Sequence, residues 1–436
     1  YMPATFARLG DTYRSGGLYP IYGNAFHTHI AMLSDGELAD ELRLNREYVH
    51  DVLGAPEPRH AGAFPMEGSI DAGKLAGFRQ AGMEYVIFPQ LSGATSRYSF
   101  DGASAPGGDD PRYGAFTIGD GSPTASRPAA TSGPAATNAL LALPRNFAIS
   151  QEIWRPITKW EPERLKPQGY ILGKYHVLDE EYRDDATVAY PITREQAVAE
   201  YAETLRRALH DAPDGGLLVY IQDLELMDFG EEALDILGEA WSAVRNERIA
   251  DVRFVTPDEY IDRVRADGAP LPHLRFHQAS WAPEIRLVLR SDGHYPPRHA
   301  GKVRGIDSDR DVFRRWPFIF WEPGRFIADT CKALLAAFGH NLDIPLTASQ
   351  LDAAMDDLAT LNDDARLALH MRAMQRACNF GWQPDETRHE WPYLHGVAIM
   401  EILRDELRGD RTIAEQTRGV SARAPDEAAA IADHVA

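Results

Sequence analysis

Two β-α units fit into fewer than seventy residues near the start of this chain, and that density constrains the fold more than any other feature. Residues 18–86 alternate strand-like and helix-like units with short connections, a rhythm that calls for a parallel sheet with helices packed around it. Residues 20–26 form an aromatic-rich strand. Ser34, followed three residues later by Glu37, forms a capping box that opens a helix. Leu38, Leu42, Asn45, Val49 and Leu53 then follow helical spacing, and Gly54 ends it. Residues 60–66 are the next strand, 70–81 the next helix and 85–88 a third strand. The fold class expected is α/β, as a closed barrel or a doubly wound sheet.

Over 90–138 the composition shifts to Gly, Ala, Ser, Pro and Thr, the pattern of a long insertion with no core of its own, serving as a lid or left unfolded. Order resumes at 140–147. Thr193 with Gln196 caps a helix whose apolar face is Val198, Tyr201, Leu205 and Leu209. Residues 217–221 have the look of a strand buried on both faces, and a helix over 231–244 follows it. After Val264 the β-α rhythm stops. A stretch rich in Trp, Pro, His and Arg over 274–321 leads to helices at 325–338, 348–361, 365–379 and 393–407. The chain is therefore expected to divide into residues 1–267, carrying the insertion, and a helical unit over 268–436. A length of 436 residues with 44% hydrophobic content fits two cores.

The formal charge of −20 comes without any Lys or Arg block that could track a phosphate backbone or an acidic lipid surface, which excludes nucleic acid and membrane as partners. Cys331 and Cys378 read as core thiols, too few for a disulfide framework or a zinc cluster. No apolar run approaches the ~20 residues that span a bilayer, and the opening Tyr1-Met2-Pro3 is not a signal peptide. A soluble, cytoplasmic protein, free to form oligomers, is expected.

Chemistry-bearing residues fall at strand ends, where α/β sheets bind ligands. His27 and His29, in Phe26-His27-Thr28-His29, share one strand face; they serve either as substrate contacts or as histidines packed and hydrogen-bonded at a strand end, and without a third ligand a metal is not expected. Glu67 closes Gly62-Ala63-Phe64-Pro65-Met66-Glu67-Gly68 at a strand mouth, where it serves either as an ionised site carboxylate or as a helix N-terminal acid. Asp223 and Glu225 stand two apart beyond 217–221, and like charges so close push one pKa upward, as a general acid requires. Trp281, Trp321 and Trp382 can stack on sugar rings or fill a domain interface.

At these residues the sequence resembles glycoside hydrolase family 57, retaining α-glycan enzymes built on an incomplete (β/α)7 barrel followed by a helical domain. The stretch from Phe26 to Leu33 resembles the family's aromatic-aromatic-His segment. Gly62 to Glu67 resembles its Gly-aromatic-Trp-x-Pro-Glu motif, which implies that Glu67 is the nucleophile. Asp223-Leu224-Glu225-Leu226 resembles the Asp-x-Glu-Leu motif, which implies that Asp223 is the general acid/base. Leu143-Pro144-Arg145-Asn146 with Ile149-Ser150 resembles the Arg-Asp-x-x-Ile-Ser segment and brings Arg145 to the substrate. The resemblance implies an α-glucan or oligosaccharide substrate and no cofactor.

The sequence also departs from the family. A His-Gln-Pro strand normally comes first, and nothing before Tyr1-Met2-Pro3-Ala4 corresponds to it, so an upstream segment is expected. Phe64 replaces the tryptophan before the glutamate, and Asp228-Phe229 replace a His-Trp-Trp, which implies altered substrate contacts. Two other readings fit the same residues. A metal-dependent carbohydrate deacetylase would place the first histidine of its His-x-x-x-His motif at Gly23, and a non-catalytic homologue would bind sugar without turnover.

Overall fold

The computed structural model describes residues 3–28, 30, 33–89, 99–101, 113–119, 139–146, 149–150, 154–160, 191–221, 231–247, 252–269, 271–276, 278–279, 322–340, 345–375 and 390–409. Helix α1 (Pro3–Arg14) precedes the expected β-α alternation. Helix α2 (Asp35–Glu47) starts at the predicted capping box, with the Glu37 N–H donating to Ser34 Oγ and the Ser34 N–H to the Glu37 carboxylate. It continues as a π-helical turn, Tyr48–Val52, and stops at Gly54, whose φ of 70° favours glycine.

The sheet contains β1 (Gly62–Ala63), β3 (Tyr85–Phe88), β4 (Ser99–Asp101), β5 (Phe116–Ile118), β6 (Leu140–Pro144) and β7 (His273–Arg275), in the order β1-β3-β6-β5-β7-β4. Strands β1, β3 and β6 are mutually parallel. Tyr22 bridges Ala63 and Val219 bridges Arg145, both in parallel sense. Five segments, at 22, 62–63, 85–88, 140–145 and 219, therefore run side by side in chain order and in one direction. This is the arrangement that short β-α connections demand. The core beneath it contains Tyr22, Phe78, Val86, Phe88, Phe116, Ala142 and Leu274.

Three expectations need correction. The 90–138 stretch is not a coreless insertion, because it supplies β4 and β5, and Phe116 and Ile118 are fully buried. Short apolar islands separated by Gly, Ser and Pro give no periodicity to read. Residues 70–81 do not form one helix: β2 (Ile70–Asp71) pairs antiparallel with β8 (Gln278–Ala279) before a 3-10 turn and α3 (Leu75–Gln80). Residues 217–221 join the sheet through one bridge at Val219 and are half-buried, not enclosed on both faces.

Around the sheet lie α4 (Trp154–Trp160), α5 (Arg194–Asp211), α6 (Glu231–Asn246) and α7 (Pro257–Asp267). The predicted Thr193–Gln196 capping box opens α5, and its Tyr201 and Leu205 share a core with Ile236, Ala240 and Val244 of α6. Helix α7 closes the N-terminal end of the strands. Asp258 accepts the Arg59 and His60 N–H groups, while the His60 ring bridges Glu84 and Asp262. Beyond residue 267 the chain first returns to the sheet through β7. It then forms α8 (Glu322–Ala337), α9 (Ala348–Asp356), α10 (Asp363–Met374) and α11 (Glu390–Gly409). Cys331 is a buried thiol among Leu335, Met371 and Ile399, and burial pushes its pKa up to about 11. Cys378 lies outside the described residues. No described helix is long and apolar enough to cross a membrane.

Gly62 sits at a close approach that determines its identity. A Cβ there would fall 1.9 Å from Cζ of the fully buried Tyr85 ring on the neighbouring strand. Gly62→Ala is therefore expected to destabilise the protein by about 3 kcal/mol through overpacking, to be measured as a lower urea midpoint at unchanged m.

Candidate active site

Because the five parallel segments share one direction, the residues that follow each of them gather at the same edge. Asn24 to Thr28 follow Tyr22, Phe64 to Glu67 follow β1, and Arg145 with Asn146 follow β6. Ile221 leads from Val219 toward Gln222. The C-terminal edge of a parallel sheet is where ligands bind, since strand ends and helix N-termini converge there.

Hydrogen bonds tie these strand ends together. The His27 N–H donates to the Asn24 carbonyl (3.1 Å), closing a turn, and the Asn24 side-chain oxygen accepts the Met66 N–H (3.4 Å). The turn that carries His27 is thus fastened to the 3-10 turn Met66–Gly68, which carries Glu67 on its backbone. On the other flank the Arg145 N–H donates to Phe88 O and the Asn146 N–H to Val219 O, both at 2.8 Å. Asn146 accepts the Ile149 N–H through its side chain, and Ser150 Oγ accepts the Ile221 N–H at 3.1 Å. The Arg145-Asn146 and Ile149-Ser150 pairs singled out in the sequence therefore anchor the strand end that runs toward Asp223. The Arg145 side chain is buried beneath this edge.

His27 is the one non-glycine residue with positive φ (59°) among those described. A left-handed histidine costs on the order of 1–3 kcal/mol, which its surroundings must offset. The restraint comes from α2. Glu41 Oε1 accepts the buried Thr28 hydroxyl at 2.7 Å, and Oε2 accepts the Phe26 N–H at 3.5 Å, so one carboxylate grips both neighbours of His27. Bonds to a charged acceptor contribute about 1.5–3 kcal/mol each, enough to offset the strain even if the longer one counts for little.

Glu41 is fully buried, and burial raises its pKa to about 7, offset in part by the Arg372 guanidinium and the two hydrogen bonds. Arg372, on α10, is itself 1% exposed. It approaches Asp40 at 3.5 Å, Glu37 at 3.7 Å and Glu41 at 4.0 Å. Lys332 of α8 pairs with Glu37 at 2.9 Å, and Arg43 pairs with Asp40 at 2.6 Å while donating to the Leu346 carbonyl. Three acids on one face of α2 thus meet cations from the C-terminal helices directly behind the His27 turn.

Of the residues read from the sequence, His27, the Glu67 backbone and Arg145 come to one edge. His29, Asp223, Glu225, Trp281, Trp321 and Trp382 lie outside the described residues. Glu37 is legible in the sequence only as a cap partner, and Asp40, Glu41 and Arg372 are not legible as site residues. The signal for the acids is Glu37, Glu41 and Leu44 running beside the Leu38-Leu42 stripe, which puts carboxylates on a face that has to be buried; Arg372, on another helix, gives none. Among the described residues no group of three His, Cys, Asp or Glu side chains is placed to hold a metal ion.

No family model matches this sequence, and no curated protein matches it. The fold is shared with the α-amylase AmyC from Thermotoga maritima, at a TM-score of 0.53 and 12% identity over 97% of this chain and 74% of that one. It is also shared with an exo-type maltose-forming amylase from Pyrococcus sp. ST04, at a TM-score of 0.51 and 12% identity. That alignment covers 91% of this chain and 64% of the amylase.

Proposed function

We propose that this chain is a retaining glycoside hydrolase or glucanotransferase acting on an α-glucan, with Glu67 as nucleophile and Asp223 as general acid/base. The observation that carries the reading is the convergence of the His27 turn, the Glu67 turn, Arg145 and the strand leading to Asp223 on one sheet edge. The fold shared with two amylases supports it. Glu67 would attack the anomeric carbon while Asp223 protonates the departing oxygen. Asp223, now a carboxylate, would then take a proton from water or an acceptor hydroxyl as that oxygen displaces Glu67. Two inversions at one carbon restore the α-configuration. His27, His29 and Glu225 would contact substrate, Arg145 would do so only through the part of its buried guanidinium that a bound sugar reaches at the edge, and Trp281, Trp321 and Trp382 would stack on sugar rings. Residues 1–267 together with strands β7 and β8 would form the catalytic unit, which moves the expected boundary past residue 279, and the helices from Glu322 onward would form the helical unit.

Retention calls for the two carboxyl groups to lie about 5–5.5 Å apart in a sugar-bound structure, against about 6.5–9.5 Å for inversion. The direct test follows maltoheptaose by proton NMR in the presence of EDTA. First-formed products should carry the α-anomeric signal, and chelation should leave the rate unchanged. A β-anomer would refute retention, and loss of activity with EDTA would favour a metal-dependent enzyme.

A further inference from the structure

Resting on that reading of the site, we propose that Glu41 is a positioning residue: its ionised carboxylate, braced by Arg372 from the C-terminal helices, holds His27 in its left-handed conformation at the sheet edge. The geometry is unusual in that one carboxylate uses its two oxygens on the residues immediately before and after a strained one, Phe26 and Thr28. Ionised, Glu41 offers an acceptor on each oxygen. Protonated, one oxygen becomes a donor: on Oε1 the Thr28 bond reverses direction, on Oε2 the Phe26 N–H loses its acceptor, and in either case the charge that strengthened both bonds is gone.

Burial raises the pKa of this carboxylate, and the charged groups that face it adjust the rise. Glu37 on its own helix opposes ionisation, whereas Arg372 on α10 favours it, and Asp40 lies on the far side of the same guanidinium. Lys332 on α8 neutralises Glu37, and Arg43 neutralises Asp40. Arg372 Nη1 has no hydrogen-bond acceptor among the described residues and acts on Glu37 and Glu41 as a point charge. The helical bundle therefore reaches the site electrostatically, through a carboxylate that titrates near neutral pH because it is buried.

The test uses the full chain and two readouts. The Thr28 methyl resonance is followed against pH in the wild type, in Glu41→Gln and in His27→Asn, where the asparagine cannot titrate and tolerates the left-handed conformation. A step centred near pH 7 should appear in wild type and His27→Asn and vanish in Glu41→Gln. In parallel, wild-type kcat/KM on maltoheptaose should fall as pH drops through that step. Glu41→Gln should lower it about ten- to a hundredfold and abolish that limb, a change that a purely structural role would not produce. Thr28→Val, which removes one of the two bonds, should reproduce a smaller part of the loss and serves if Glu41→Gln fails to fold. A Thr28 step that persists in Glu41→Gln, or a Glu41→Gln profile parallel to wild type, would overturn the proposal. A normal Thr28 step in a protein without turnover of α-glucan would instead overturn the glycosidase reading and leave the Glu41 clamp standing.

Discussion

Glu67→Gln is expected to lower kcat on maltoheptaose by roughly a thousandfold or more while leaving the melting temperature and sugar binding close to wild type. The amide keeps the shape of the side chain but lacks the anionic oxygen that would form the glycosyl-enzyme bond. Its neighbours are held mainly by backbone contacts. The Gly68 N–H bonds to Pro65 O and the Ser69 N–H to Met66 O, so the turn does not need the carboxylate in order to form. Asp223→Asn should separate the second role. A natural glucoside needs its departing oxygen protonated, whereas a 4-nitrophenyl leaving group does not. The loss in kcat/KM, which reports the glycosylation step and not the base-assisted second step, should therefore be far larger on maltoheptaose than on 4-nitrophenyl maltoside. Equal losses on both substrates would remove Asp223 from the acid/base role, and a fully active Glu67→Gln would remove Glu67 as nucleophile.

Arg372→Met should produce the largest loss of stability, on the order of 3–5 kcal/mol at neutral pH, because it leaves the buried Glu41 without its cation while Glu37 and Asp40 keep Lys332 and Arg43. Methionine preserves most of the volume, so the loss reports charge more than cavity. The pH dependence follows from Glu41, whose folded pKa of about 7 lies above the ordinary 4.5. For a raised pKa the proton-linked stabilisation is complete below the unfolded value and is lost as pH rises through the folded one. A rise of this size corresponds to roughly 3 kcal/mol. Without Arg372 the folded pKa moves higher still. The gap between Arg372→Met and wild type should then be widest at about pH 8 and shrink toward about pH 5.5, as Glu41 gains its proton in both proteins. Urea denaturation at the two pH values measures this, and a gap independent of pH would show that the guanidinium does not act through Glu41.

The parts of the fold that were legible in the sequence are those governed by neighbours in the chain. Ser34-Glu37 and Thr193-Gln196 form their capping boxes because cap and partner lie three residues apart. Strand 85–88 needed only a run of buried apolar residues between polar ends. The position of His27, Glu67 and Arg145 at strand ends was legible for the same reason. By contrast, β5 escaped notice, since Phe116 and Ile118 sit in a Gly- and Ser-rich stretch and become core only because β6 and β7 flank them. The β2-β8 pair joins residues about two hundred positions apart, and no local pattern encodes such a partner.

What the sequence by itself determined is a set of short-range facts: alternating β-α units, helix starts, and acids and histidines at the ends of parallel strands. Two β-α units packed into so few residues already required a parallel sheet, and the five segments from Tyr22 to Val219 follow chain order as that density demands. Only the tertiary structure decided which charges are buried together. Glu41 and Arg372 are separated by more than three hundred residues, and each alone reads as a solvated helical charge. Packing the C-terminal helices on α2 removes water from both, and the cost of leaving either unpaired couples the helical bundle to the turn that carries His27.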